Sequence, residues 1–333
     1  MYRLRVLDAA QFRALVTMDD VIPGVKEAYS LYSSGRAGLF PIITHEFDPG
    51  RTDMDIKSAY LDGAGIYGLK ILGWNRDNPS LLGVPALAGL IVVMDIERQQ
   101  PVGILEGTPV TFLRTGAAGA IGAQTLARPE SENAVVVGSG AQGRAQMMGL
   151  SKVMPNLKRV GLFDESVSSA EKMAAEVTPQ YPWIKITAYP LSALEDRVRD
   201  ADIVVTCTPS KKGFIKRGWL RKGPHINAIG ADMPGKQEID PDMTASVKVF
   251  GDSRSQVALK GECQHAVSAG LIRPDDITEI GEVLNGTKPG RMSPDEITMF
   301  DATGMALQDL IAAKIALERA EAQNIGTVVE MEQ

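Results

Sequence analysis

The sequence predicts an α/β protein: a doubly wound parallel sheet in the middle of the chain, and an α+β unit built from both chain ends. Three observations predict it. Val135-Val136-Val137 runs directly into Gly138-Ser139-Gly140-Ala141-Gln142-Gly143, and a helical pattern follows from Arg144 to Met154. Beyond that point strand-like and helix-like segments alternate, as they do in parallel sheets. Ahead of it, from Ile42 to Ile96, short strand patterns are separated only by turn residues, which reads as a mainly antiparallel sheet. A chain of 333 residues also exceeds one ordinary core. The expected division is residues 1–114 with 305–333, and residues 115–304.

Taken in order, residues 2–8 read as a strand and Asp8 to Ser34 as helical, with Val21-Ile22-Pro23 opening a second helix, because proline is tolerated in a first turn. Strands are expected at Ile42–Phe47, Met54–Leu61, Gly65–Gly73, Ala88–Met94 and Pro101–Glu106. Thr115 to Leu126 is rich in Ala and Gly and reads as a connecting helix that sits close to its neighbours, with Arg114 just before it. The parallel strands are expected at 133–138, 159–163, 184–189, 202–207, 225–230 and 247–252, with helices at 141–154, 167–177 and 191–199. Ile297–Asp301 adds a strand, and the amphipathic helix Ala306–Gln323 returns to the first unit.

Bulk properties exclude several classes. A net charge of −6 argues against a nucleic-acid partner or an anionic membrane surface. No uninterrupted apolar run approaches the length of a bilayer span, and the amino terminus lacks a signal-peptide pattern. Cys207 and Cys263 have no metal-ligand spacing and read as reduced core residues, so the expectation is a cytoplasmic protein. His45, His225 and His265 are scattered, so no metal site is expected; His225 reads as a satisfied core histidine. Cys263 and His265 alternate as on a strand or turn, and a Cys–His nucleophile is not expected.

The glycine pattern carries the first chemistry. Gly138 permits the tight turn, Gly140 lets a pyrophosphate approach the backbone, and Gly143 lets helix and strand pack closely. Unpaired N–H groups at the helix start then face the phosphate charge. Asp164 ends the next strand, where a carboxylate accepts from ribose hydroxyls and repels a 2′-phosphate, so NAD is favoured over NADP. Lys70, on an apolar strand, and Arg114 could together hold a carboxylate, or each could pair with a nearby acid. Asp232 follows an apolar strand at the place where open α/β sheets bind ligands; it is a candidate general base, or an ordinary turn residue before Pro234. Lys236 could reach cofactor phosphate or solvent.

Four segments occur in one order: Arg114-Thr115-Gly116-Ala117-Ala118, Gly138-Ser139-Gly140-Ala141-Gln142, Gly230-Ala231-Asp232-Met233-Pro234-Gly235-Lys236-Gln237-Glu238, and Phe300-Asp301-Ala302-Thr303-Gly304. That order resembles the ornithine cyclodeaminase/μ-crystallin family, which includes archaeal-type alanine dehydrogenases and imine or ketimine reductases. The resemblance implies that Lys70 and Arg114 hold the substrate carboxylate and that Asp232 and Lys70 are catalytic. It places cofactor contacts at Ala141, Gln142, Asp164, Thr208, Asn227, Ala228, Ile229 and Lys236, and brings the loop holding Ala302 and Thr303 to nicotinamide and substrate. It implies a Rossmann domain at 115–304, a substrate and dimerisation domain from the two ends, and a homodimer paired through the N-terminal sheets.

Two departures bear on substrate. Ile42 follows Pro41 where cyclodeaminases of this family carry an arginine, and Lys57-Ser58-Ala59 replaces their Met-Pro-Ala. Lys57 shares a strand face with Asp55 and Ala59, so it either faces the pocket and helps recognise carboxylate or points to solvent. The expected activity is NAD-dependent hydride transfer at Cα of a small amino acid, or the reverse imine reduction. Ornithine cyclodeamination is the alternative, kept open by Asp55, and a non-catalytic binding role is the second.

Overall fold

The computed structural model describes residues 2–331, which fall into two compact units: 2–114 with 305–331, and 115–304.

In the first unit, an eight-stranded sheet runs in the order Thr327–Met331, Tyr2–Leu7, Pro101–Glu106, Leu87–Asp95, Ile66–Asn75, Thr52–Leu61, Ala37–Leu39, with Ile43–Asp48 also paired to Thr52–Leu61. Its pairings are antiparallel except between Tyr2–Leu7 and Pro101–Glu106. Side chains alternate across a strand, so register decides which face each row meets. Lys57, Lys70 and Ile91 form one row, and all three are buried. Ile43, Ile56, Ile71 and Leu90 form the adjacent row, and Ile43, Ile71 and Leu90 are exposed.

The helices of this unit depart from expectation at two places. The second starts at Met18, where Thr17 and Asp20 form a capping box, so Pro23 lies inside the helix Met18–Ser33 rather than at its start. The Asp20 carboxylate accepts from the Thr17 N–H at 2.9 Å and from its hydroxyl at 2.7 Å, so the helix begins five residues before Pro23. The helix expected from Thr115 begins at Gly107, which puts Arg114 within it. The terminal strand Thr327–Met331 was not expected; it covers the edge of Tyr2–Leu7.

The second unit is the doubly wound sheet. Its strand order is Lys185–Ala188, Arg159–Phe163, Asn133–Val137, Ile203–Thr206, His225–Ala228, Thr298–Asp301, Lys248–Gly251, Thr278–Glu279, with every pairing parallel. The chain winds one way from Asn133–Val137 and then the other, so the crevice at that strand's carboxyl end is the topological switch point where such sheets bind ligands. The small-residue helix packs as closely as its composition requires: a Cβ on Gly119 would lie 1.8 Å from Gln146 Oε1. His225 is fully buried between Thr298 Oγ1 and Asn227 Oδ1, each 2.9 Å from a ring nitrogen, and burial lowers its pKa to about 3. The segment holding Cys263 and His265 is a short helix, Cys263–Ser268, not a strand or turn. Among the described residues no helix is long and apolar enough to cross a membrane.

Candidate functional site

In the second unit, the nucleotide loop has the geometry its glycines imply. Gly138 has φ +109°, and a Cβ there would meet Cys207 O at 2.6 Å; one on Gly143 would meet Gly138 O at 2.1 Å. Gly140 behaves differently: a Cβ on it would meet nothing within 4 Å, so the space in front of this residue is open. Helix Ala141–Val153 starts here with no side chain capping its first turn, leaving backbone N–H groups for an anion. Asp164 closes the loop from the next strand, accepting from Ser139 N–H at 2.8 Å and Ser166 N–H at 3.1 Å. Gln142 Oε1 is buried with no partner. An open cradle, uncapped donors, a carboxylate at the strand end and an orphaned acceptor fit a dinucleotide with an unmodified ribose.

In the first unit, the two expected cations converge. Lys70 Nζ donates to Asp309 Oδ1 at 2.9 Å and to Thr111 Oγ1 at 3.3 Å. Arg114 Nε donates to the same Asp309 oxygen at 3.0 Å, and its Nη1 to Gln308 Oε1 at 3.1 Å. Gln308 donates in turn to the buried Tyr29 hydroxyl at 2.6 Å. Lys57 lies directly across the strand pair from Lys70 and is 5% exposed, which excludes the solvent-facing alternative. Its Nζ stands 3.7 Å from Asp55 Oδ2.

The electrostatics of this cluster are unbalanced. Three cations (Lys57, Lys70, Arg114) share two carboxylates (Asp55, Asp309), and Asp309 Oδ2 is buried without a hydrogen-bond partner. Burial, reinforced by Arg114 and Lys57, pulls the Lys70 ammonium down to about 8, with Asp309 opposing. Burial pushes Asp309 up, but Arg114, Lys70 and Lys57 outweigh it and hold the carboxyl below its ordinary range. An excess of one positive charge, away from bulk water, favours a monoanion.

The remaining expected residues lie in the second unit. Asp232 follows the strand His225–Ala228, half-exposed, with Lys236 Nζ 2.6 Å from its Oδ1. Lys236 is therefore engaged by Asp232, a partner not foreseen for it. Asn227 and Ala228 are fully enclosed; the Asn227 side chain donates to Gly119 O at 2.8 Å, so neither side chain faces a ligand, and Ile229 is the first of the three at the strand end. Ala302 is buried, and the Thr303 hydroxyl points inward to Asp252 Oδ1 at 3.2 Å and Gln256 Oε1 at 3.1 Å, so this side chain supports its loop from within. Thr208 gives both its N–H and its hydroxyl to Glu238.

Sequence reasoning missed Asp309, Gln308 and Glu238. A signal existed for the first two: in Ala306-Leu307-Gln308-Asp309-Leu310-Ile311 a polar pair interrupts an apolar helix face, and such a pair is buried only when partnered.

The profile of the ornithine cyclodeaminase/mu-crystallin family matches residues 4–324. The alanine dehydrogenase of Archaeoglobus fulgidus is 36% identical over 326 residues, covering 98% of each chain. Among solved structures, an archaeal alanine dehydrogenase dimer with bound NAD superposes with a TM-score of 0.92 at 35% identity, covering 99% of this chain and 100% of that one. The Thermococcus litoralis Δ1-pyrroline-2-carboxylate reductase in complex with NADH and L-proline gives 0.91 at 27% identity, covering 97% and 99%. With a family match over nearly its whole length, an uncapped nucleotide loop and a buried cation cluster, the chain belongs to the ornithine cyclodeaminase/mu-crystallin family.

Proposed function

We propose that this protein is an NAD-dependent oxidoreductase acting on the C–N bond of a small L-amino acid, in the direction of imine and 2-oxo acid or in reverse. The observation that carries the reading is the buried excess of positive charge at Lys57, Lys70 and Arg114, which suits one substrate carboxylate. Relatives named alanine dehydrogenase and pyrroline-2-carboxylate reductase act on substrates of that kind. Gly138, Gly140, Ala141, Gln142, Gly143 and Asp164 hold the dinucleotide, with Thr208, Ile229 and the Ala302–Thr303 backbone beside it. When bound, the nicotinamide would supply the hydride acceptor for Cα, or in its reduced form the hydride donor.

The chain's own residues do the rest. Lys70 and Arg114 bind and orient the carboxylate, with Asp309 holding both cations by one oxygen; positioning of this kind lowers a barrier by several kcal/mol. Asp232 stabilises positive charge developing on the substrate nitrogen, and its carboxylate moves a proton between water and amine. Lys236 keeps that carboxylate oriented at Oδ1. A redox-neutral second reading, ammonia-eliminating cyclisation of a diamino acid, has one observation in its favour: Asp55 Oδ1 is buried without a hydrogen-bond partner and could receive a second ammonium.

Two copies pair through the first unit's sheet, where Ile43, Ile56, Ile71 and Leu90 lie in one outward row.

Purified protein should change NADH absorbance with a panel of small amino acids, or with 2-oxo acids plus ammonia, and Asp232→Asn should abolish that change while NADH still binds. Ammonia release from a diamino acid with no net NADH change would replace the oxidoreductase by the cyclodeaminase. No turnover in either assay, with NADH bound, would overturn both.

A further inference from the structure

One buried group in the second unit is unused by the mechanism above. Glu238, in the strand Gln237–Ile239, is fully buried. Its Oε1 accepts from the Thr208 N–H at 2.6 Å and the Thr208 hydroxyl at 2.7 Å. Its Oε2 accepts from the Gly230 N–H at 3.0 Å. Thr208 and Gly230 each stand two residues beyond strands that pair in parallel, with Thr206 opposite Ala228. One carboxylate therefore ties together the two loops that leave neighbouring strands at their carboxyl ends, where open α/β sheets bind ligands.

The surroundings fit a dedicated bracket better than general packing. A Cβ on Gly230 would lie 2.4 Å from Glu238 Oε2 and 2.4 Å from Thr208 O, so the carboxylate occupies the place a side chain would need. Glu238 is itself held by a second acid: Glu262 Oε1 accepts from the Glu238 N–H at 2.9 Å and the Ile239 N–H at 2.7 Å. The Thr208 and Gly230 groups bonded to the Glu238 carboxylate are neutral donors, two of them backbone N–H groups whose direction is set by the loops. Above about pH 7, where the buried Glu238 carboxyl is ionised, its two oxygens offer acceptors in both directions at once, and the measurements below are made there.

We infer that Glu238 is a positioning residue for the reaction: it sets Thr208 and the Gly230–Asp232 segment in the arrangement that receives the cofactor and presents the Asp232 carboxylate. This rests on the functional reading above. The chemistry makes one variant diagnostic. In Glu238→Gln the shape is kept, but the amide NH2 must face either the Thr208 donors or the Gly230 N–H, setting donor against donor.

The test measures NADH dissociation by fluorescence, and kcat and substrate KM at saturating NADH, with thermal melting alongside. Glu238→Gln is expected to weaken NADH binding roughly tenfold and to lower kcat, while substrate KM stays within about twofold because the carboxylate clamp lies in the other unit. Thr208→Val keeps the buried carboxylate, removes one of its donors, and should weaken NADH binding by a smaller factor in the same direction. If Glu238→Gln melts near wild type with unchanged NADH affinity and kcat, the inference is overturned. If Glu238→Gln does not fold, unchanged NADH affinity and kcat in Thr208→Val overturn it. Wild-type protein that binds no NADH at all would sink the functional reading itself, a result distinct from either.

Discussion

A single oxygen, Asp309 Oδ1, accepts from both Lys70 and Arg114. The two cations were legible as a pair because each sits in an apolar context that a lone charge would not occupy. Asp309 was not, because it lies 239 residues from Lys70 and nothing local announces the partnership. Two predictions belong to this group. Lys70 is held at about 8, so above that pH it loses the proton through which it is proposed to bind the substrate carboxylate. KM for the amino acid should therefore rise as pH passes 8 while NADH affinity stays level, and a flat KM up to about pH 9.5 would remove Lys70 from substrate binding. Asp309→Asn removes the carboxylate bonded to both cations and leaves like charges facing each other. It should cost about 3–5 kcal/mol of stability in chemical denaturation; a loss under about 1 kcal/mol would mean that the cluster is wetter than its burial implies.

Elements were legible wherever a local pattern fixed them and less so where a neighbour did. The parallel strands fell within a few residues of expectation because continuous runs such as Val135–Val137 are buried on both faces. The start of helix Met18–Ser33 was misplaced because a capping box decides it, and proline merely fits. The short strands Lys211–Ile215 and Gln237–Ile239 were missed, since they pair only with each other. Yet the second of them carries Glu238, whose burial raises its carboxyl to about 7; Asp301, at the end of Thr298–Asp301, is raised to about 7 in the same way. Both folded values lie above the unfolded ones, so between about pH 4 and pH 7 the folded state keeps protons that the unfolded state releases. These two groups therefore stabilise the fold fully at the acid end of that window, and their contribution is lost as pH rises through it. The melting temperature should fall between about pH 4 and pH 7, and Glu238→Gln should flatten part of that slope. A melting temperature that climbs across the window in wild type would contradict the burial of these acids.

At the scale of the whole molecule, alternation across one sheet assigns two tasks to neighbouring rows. The inward row, Lys57–Lys70–Ile91, carries the cations; the outward row, Ile43–Ile56–Ile71–Leu90, is apolar with three of its members exposed. The alternation in Lys70-Ile71 and Leu90-Ile91 was readable from the chain, but which face would be covered was not, because that depends on where helix Ala306–Gln323 docks. A contiguous apolar row on a solvated sheet face marks an association surface. Because strand neighbours point to opposite faces, charging the outward row should leave the cation cluster intact. We therefore predict that Ile71→Lys with Leu90→Lys converts the proposed dimer to a monomer, read by sedimentation or light scattering. Each protomer should still bind NADH with wild-type affinity, since the nucleotide loop belongs to the second unit. Retention of the dimer in the double variant would move the interface off this face. A monomer that had also lost NADH binding would show instead that the variant disturbs the fold beyond its own sheet.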